Sequence, residues 1–487
     1  MFRRTPIFRA IEPAVLGSGI EEDNHVLQRT LWASAANVTF YNGRVRRRFG
    51  SSLMFNVAAD PIRGIQQLQD SDGVRWVWAA SGGTVKRWYG PAAETIIPAE
   101  AWTQDETVTT PVTQWDFTPF GNWMILNKSS GIVRVFKPGT GVSTLGDAPQ
   151  NVVKMMKKLN FVMAFGYGAD KRRIGWSDAD NIEVWTPTAS NLAGSLSIEE
   201  LNTPIRAAEH LGPSIAVFAD DQMALVNYIG APFYFGQKVV LDNIGAVGKM
   251  AVAGDGRNLF GFGTGGFWWT DGVSARYIDD QKMQVYFQDN VNWAQASKIV
   301  VQRNDYTNCI EISFPAIGST VNNKGWSFDP RNASWSPIAP FSCKTDRRLF
   351  AKPIVGSNTG DISLDLGDGN AALPLSLATK PLLKQLQDPS GLSDIHYNTR
   401  VDEVSLLLKE ATAVQFRVGA SQEALSGYTY TDWINAVAGA VTYHMPAGFP
   451  DGVYHTLEFQ STANNWRFDL QGFLLFGNIE GSKRGTA

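Results

Sequence analysis

Gly261, Gly263 and Gly266 stand in the spacing G-x-G-x-x-G. In a dinucleotide site such glycines join a strand to a helix whose first N–H groups face a pyrophosphate. Here Phe267, Trp268 and Trp269 follow, and Asp271-Gly272 turns the chain a few residues later. Bulky aromatics favour a strand, so a hairpin turn is expected in place of a nucleotide site. The segment Gly245–Met250 approaches a P-loop but lacks its spacing and its Ser or Thr. No G-x-S-x-G elbow occurs. The five histidines, His25, His210, His396, His444 and His455, are scattered, without H-E-x-x-H or Cys/His metal spacing. Neither a metal nor a cofactor is expected.

Carboxylates are the remaining route to catalysis. Glycoside cleavage needs an acid and a base or nucleophile about 5–10 Å apart across a cleft. Asp72, Asp255, Asp271, Asp368 and Asp451 each precede glycine, where turn chemistry accounts for them. Ser177–Trp185 comes near the sialidase box S-x-D-x-G-x-x-W, but Ala179 occupies the aspartate position. No pair stands out, and a non-enzymatic protein is expected. A propeller that binds or degrades polysaccharide is the alternative.

Two basic clusters remain. Arg44, Arg46, Arg47 and Arg48 form the densest charge in the chain. Strand alternation puts Arg44, Arg46 and Arg48 on one side and Val45 with Arg47 on the other. Lys154, Lys157 and Lys158, then Lys171, Arg172 and Arg173, make the second. Either cluster reads as an edge strand guarded by charge or as a contact with a partner's acidic surface or DNA phosphate.

The elements that must carry these residues read as strands. The chain has 487 residues, 44% hydrophobic, with 46 glycines and 16 tryptophans. Charged residues are 18%, against about 25% in typical soluble domains. Glycine-rich turns with many aromatics suggest short strands. From about residue 60 to 370 an apolar run, a Gly, Asn or Asp turn, a second run and another turn recur seven times. Four antiparallel strands per roughly 40–45 residues is the mark of a propeller blade. Trp76, Trp78, Trp88, Trp115, Trp123, Trp176, Trp185, Trp268, Trp269, Trp326 and Trp335 recur at that spacing and are expected to fill the spaces between blades. The expected fold is all-β: an N-terminal arm and hairpin over 1–58, the hairpin turning at Asn42-Gly43; a β-propeller of six to eight blades over 59–370; and a linker with an antiparallel β-sandwich over 371–487. In the last, Val404, Leu406 and Leu408 are expected on one face.

Net charge is −3, which argues against a surface that wraps nucleic acid and leaves a smooth channel open. Cys309 and Cys343 are the only cysteines; they are expected as free thiols, with folding in reducing cytoplasm. No run of 18 apolar residues occurs, so no membrane-spanning helix is expected. The opening residues lack the apolar core of a signal peptide.

Three segments resemble a known family. Residues 36–51 (ANVTFYNGRVRRRFGS) are similar to the opening of tail nozzle and packaged-DNA stabilisation proteins of short-tailed bacteriophages. Residues 172–187 (RRIGWSDADNIEVWTP) resemble a strand–turn–Trp segment of the same propellers, and residues 468–485 (FDLQGFLLFGNIEGSKRG) resemble the closing strand of their terminal sandwich. The resemblance implies a structural virion protein of the tail, assembled in the host cytoplasm. It implies a homo-oligomer, a hexameric ring below the tail adaptor, with tail fibre or tip proteins as further partners. That ring would touch packaged DNA transiently and hold it until ejection.

Overall fold

A computed structural model of the chain describes residues 6–11, 32–41, 44–48, 50–56, 60–90, 103–107, 114–278, 282–331, 333–345, 353–367, 375–379, 382, 385–387, 394–423, 427–463 and 466–484. The described residues form an all-β protein. They divide into two compact units: Met1–Gly50, Ser327–Ile338 and Asp368–Ala487 in one, Ser51–Trp326 and Ala339–Gly367 in the other.

Seven four-stranded antiparallel sheets follow one another along the chain. The first sheet is Gly64–Gln69, Arg75–Ala80, Thr84–Gly90 and Thr103–Thr107. The second is Asp116–Phe120, Trp123–Asn127, Arg134–Lys137 and Gly141–Thr144. The third is Lys154–Lys158, Phe161–Tyr167, Arg173–Trp176 and Gly194–Ser197. Ala207–Leu211, Ser214–Phe218, Gln222–Gly230 and Tyr234–Asp242 make the fourth. The fifth comprises Val252–Gly254, Leu259–Gly263, Gly266–Thr270 and Ala275–Tyr277. The sixth comprises Val300–Asn304, Cys309–Phe314, Lys324–Asp329 and Ser334–Ile338. In the seventh, Cys343–Thr345, Ile354–Gly356 and Asp361–Gly367 take their outer strand from Gly50–Asn56, which precedes the first sheet.

The first strands neighbour one another in order, and that of the seventh sheet returns to Gly64–Gln69. Several second strands are buried on both faces: every residue of Ser214–Phe218, Leu259–Gly263 and Cys309–Phe314 is buried. Burial on both faces is why these strands read as continuous apolar runs. Between the fifth and sixth sheets lies an α-helix, Lys282–Asn290, followed by a 3-10 helix, Trp293–Lys298. Phe287 of the α-helix is fully buried and meets Phe262 and Phe314 edge-on, at 5.0 and 5.6 Å.

The glycine motif is a hairpin. Leu259–Gly263 and Gly266–Thr270 pair antiparallel from Leu259–Thr270 to Gly263–Gly266. Gly266 has φ +114°, a region side chains disfavour. Gly261 faces Trp268, and a Cβ there would lie 2.1 Å from Trp268 Cζ2. The indole N–H of Trp268 donates to Gly245 O at 2.7 Å. Of the eleven tryptophans expected between blades, nine are buried; Trp123 and Trp269 are half-buried. Turn chemistry holds for Asp255 and Asp271, whose carboxylates each accept two backbone N–H groups of their own turn. At Ser71–Gly73 the capping carboxylate is Asp70 rather than Asp72: it accepts the N–H of Asp72 and Val74 and the indole of Trp76. Asp368 lies outside the described residues.

In the other unit two antiparallel sheets share one core. One runs Val38–Tyr41, Arg44–Arg47, Arg467–Arg484, Asp394–Thr412, Gln385–Gln387, with Pro6–Ile11 on Arg467–Arg484 and Gly439–His444 on Asp394–Thr412. The second runs Trp32–Ala36, Leu375–Thr379, Tyr454–Ser461, Gln415–Ser421, Thr429–Tyr430, with Ile434–Asn435 on Gln415–Ser421. Phe40, Val404, Leu406, Leu408, Phe416, Phe459 and Phe473 lie in that core, and Leu407 between them is exposed, as a period of two requires. Tyr41 pairs with Arg44, so the expected hairpin is present; Asn42-Gly43 itself lies outside the described residues, as do 12–31 of the expected arm.

Candidate functional site: the central cavity of the seven sheets

The first strands of all seven sheets line one cavity of about 540 Å³. Side chains alternate along a strand, so each first strand sends part of its polar residues inward. Four lysines, Lys154, Lys157, Lys249 and Lys344, line it together with Asp116, Glu209 and His210.

The charges tie one sheet to the next. Asp116, on the second sheet, accepts the N–H of Met155 at 2.7 Å and pairs with Lys154 at 3.1 Å, both on the third. Thr118 donates its hydroxyl to Met155 O at 2.8 Å. Lys158 donates to Pro213 O, between the first two strands of the fourth sheet, and burial lowers its pKa. Lys344, on the seventh, pairs with Glu311 of the sixth at 2.5 Å. Glu311 also accepts the amide of Asn304 at 2.9 Å. Both members of the Lys344–Glu311 pair are almost wholly inaccessible. Such a pair needs its lone pairs and protons satisfied to hold together.

Lys249 reaches furthest. It sits on the connection into the fifth sheet, yet its ammonium donates to Gln114 O, just before the second sheet's first strand, and, at 2.8 Å, to Ser129 Oγ, just after its second. The side chain keeps some exposure to the cavity, while protein surrounds the ammonium. Burial pushes its pKa down to about 7; Asp116 works against that shift and Lys154 adds to it. A lysine near neutrality has the acidity of a general base, but structural networks shift pKa values in the same way. Here both acceptors of the ammonium are fixed parts of the frame.

The structure separates the basic residues singled out in the sequence. Lys154 and Lys157 line the central cavity, and the Lys157 ammonium stands 5.1 Å from the centre of the Phe120 ring. Lys171, Arg172 and Arg173 lie two strands away: Lys171 donates to Asn151 O, Arg172 pairs with Asp170 at 3.0 Å and donates to Glu199 O and Leu201 O, and Arg173 donates to Ser195 Oγ. In the other unit, Arg44 and Arg46 share Asp469, at 3.6 and 3.4 Å. Arg47 donates to Trp466 O at 2.8 Å and covers its ring, so the alternation expected for this strand is present. The Arg48 N–H donates to Asn37 O. Arg46 and Arg47 line a cavity of about 300 Å³ with Lys409, Arg467, Glu410 and Asp469.

Asp116, Lys249, Glu311 and Lys344 escape sequence reasoning because they come from different sheets. Lys249 lies in the segment that fails as a P-loop. Glu311 had one signal, a lone carboxylate inside the apolar run of Cys309–Phe314. Among the described residues no group of three or more His, Cys, Asp or Glu could hold a metal ion, and no helix is long and apolar enough to cross a membrane. The chain matches no protein-family model and no curated protein.

Proposed function

We propose that the seven sheets form a seven-bladed β-propeller, that the second unit is a β-sandwich, and that the protein is a structural subunit of a tail nozzle ring. The observation that carries this reading is the cross-tied central cavity. Asp116 of its wall is held by Lys154 and the Met155 N–H of the next sheet, and Lys344 of its wall is paired with Glu311 of the sixth, an arrangement suited to rigidity. Circular succession of the first strands supports the propeller, since a blade covers its faces only when both neighbours are in place. The resemblance of residues 36–51, 172–187 and 468–485 to phage nozzle proteins supports the rest.

On this reading, subunits surround the DNA channel below the tail adaptor and hold loops across it. Rigid propellers keep those loops in place until the tail tip engages its receptor. The pocket that Arg46, Arg47, Lys409 and Arg467 line with Glu410 and Asp469, four cations against two carboxylates, is the surface we assign to acidic groups, a partner's or phosphate's. Electron microscopy of the purified protein mixed with its adaptor tests the proposal: a closed ring is expected, and no ring at saturating adaptor overturns it. Turnover of host capsule polysaccharide, abolished by changing one aspartate, would favour a glycan-degrading protein instead.

A further inference from the structure

A second, small cavity of about 40 Å³ lies in the larger unit, at the end where the first strands begin. Its wall includes Arg63, Gln114, Lys298, Asn322, Ser342 and Asn358, from the first, second, sixth and seventh sheets or the segments leading into them. Two of these side chains are more than nine-tenths buried with an unmet hydrogen-bonding atom. Gln114 is 7% exposed and its Nε2 has no partner; Asn322 is 4% exposed and its Oδ1 has none. The orientation of Asn322 is fixed, because its Nδ2 donates to Lys298 O at 3.0 Å and Phe341 O at 3.2 Å. A buried donor and a buried acceptor left unmet on one cavity wall point to an occupant.

The wall also sets the sign of that occupant. Arg63 and Lys298 both line the cavity, and none of its lining residues is acidic. Lys298 donates to Thr320 O at 2.6 Å. Burial lowers its pKa, and Arg63 lowers it further, so two like charges act on one another here. An anion would accept from the Gln114 amide and offset the Lys298 charge. A single water needs about 10–15 Å³, so an ion and one water fit; the water would donate to Asn322 Oδ1.

We propose that this cavity binds a monatomic anion of chloride size, which fastens the first, second, sixth and seventh sheets together. The proposal does not depend on the virion reading. It is tested by growing crystals of the native protein in sodium bromide and collecting data at the bromine edge. An anomalous peak within about 3.5 Å of Gln114 Nε2 is expected; bromide found only on surface lysines, or water alone in the cavity, overturns the proposal. In solution, replacing gluconate by chloride at constant ionic strength should raise the melting temperature of the native protein. Gln114→Leu and Lys298→Met should each abolish that rise, and an unchanged rise in both variants would count against the site. The diffraction experiment uses the native chain, so it decides the matter even where a variant fails to fold.

Discussion

Lys249 joins three features: a long reach from the fifth sheet to the second, two fixed acceptors, and a pKa pushed down to about 7. In the unfolded chain its pKa returns to the ordinary lysine value of about 10.4. Between those values the unfolded state holds more protons, so stability rises with pH across the window, and the burial cost is full below pH 7. We predict that Lys249→Met removes this slope: relative to the native protein the variant is stabilised more near pH 6 than near pH 9.5, read from urea midpoints. Equal differences at both pH values would refute the assignment. His455 behaves in the opposite range. It is buried, its Nε2 lies 2.7 Å from Thr399 Oγ1, and burial takes its pKa down to about 4. Its stability contribution is therefore intact above about pH 6.5 and lost as pH falls through 4, by up to about 3 kcal/mol. A His455→Gln variant should flatten this acid limb, followed by hydrogen exchange of Tyr454–Ser461; an unchanged acid limb would contradict it. Cys343 is buried, with its thiol pushed up to about 12. It should resist alkylation at pH 8 in the native protein and react only on unfolding; rapid labelling of native Cys343 would show the burial to be wrong.

At the level of elements, the sheets depend on side chains that bridge strands. Trp268 lies across Gly261 on the paired strand and anchors its indole on Gly245 O. We predict that Gly261→Ala destabilises the fifth sheet by about 1–3 kcal/mol, the usual range for overpacking. Trp115 is fully buried and donates to Ser81 O at 2.9 Å, linking the second sheet's entry to the first sheet. Its replacement by alanine should cost about 3–5 kcal/mol. Denaturant unfolding checks both, and a loss below 0.5 kcal/mol in either, within the usual scatter of surface changes, would remove that bridge from the account. Strand and turn positions in this middle region are legible locally. Apolar runs mark strands such as Ser214–Phe218, and pairs such as Asp271-Gly272 or Gly121-Asn122 mark turns. The helix Lys282–Asn290 is not legible in that way. It is held by Phe287 fitting between Phe262 and Phe314, a contact between segments on either side of it in the chain.

For the molecule as a whole, the outer strand of the seventh sheet is decisive. Gly50–Asn56 comes before the first sheet yet completes the last. Met54 of this strand lies in one apolar cluster with Ile62, Ile65, Val77, Cys343, Ile354 and Ile362. Burying a carboxylate there is costly. We predict that Met54→Asp lowers hydrogen-exchange protection in the first strands of the first and seventh sheets together. Loss confined to Gly50–Asn56 itself would mean that the strand is an accessory and not a closure. The sequence alone determined the all-β character, the seven strand-and-turn units, the burial of most tryptophans and the hairpin at Gly261–Gly266, because each follows from side-chain size, alternation or turn preference within a few residues. Tertiary structure alone decided that Gly50–Asn56 belongs to the seventh sheet, that Asp116 meets Lys154 and Glu311 meets Lys344, and that Lys249 reaches the second sheet. Those contacts join segments far apart in sequence, and their partners are chosen by which sheets' first strands neighbour one another, a constraint that no local pattern of residues encodes.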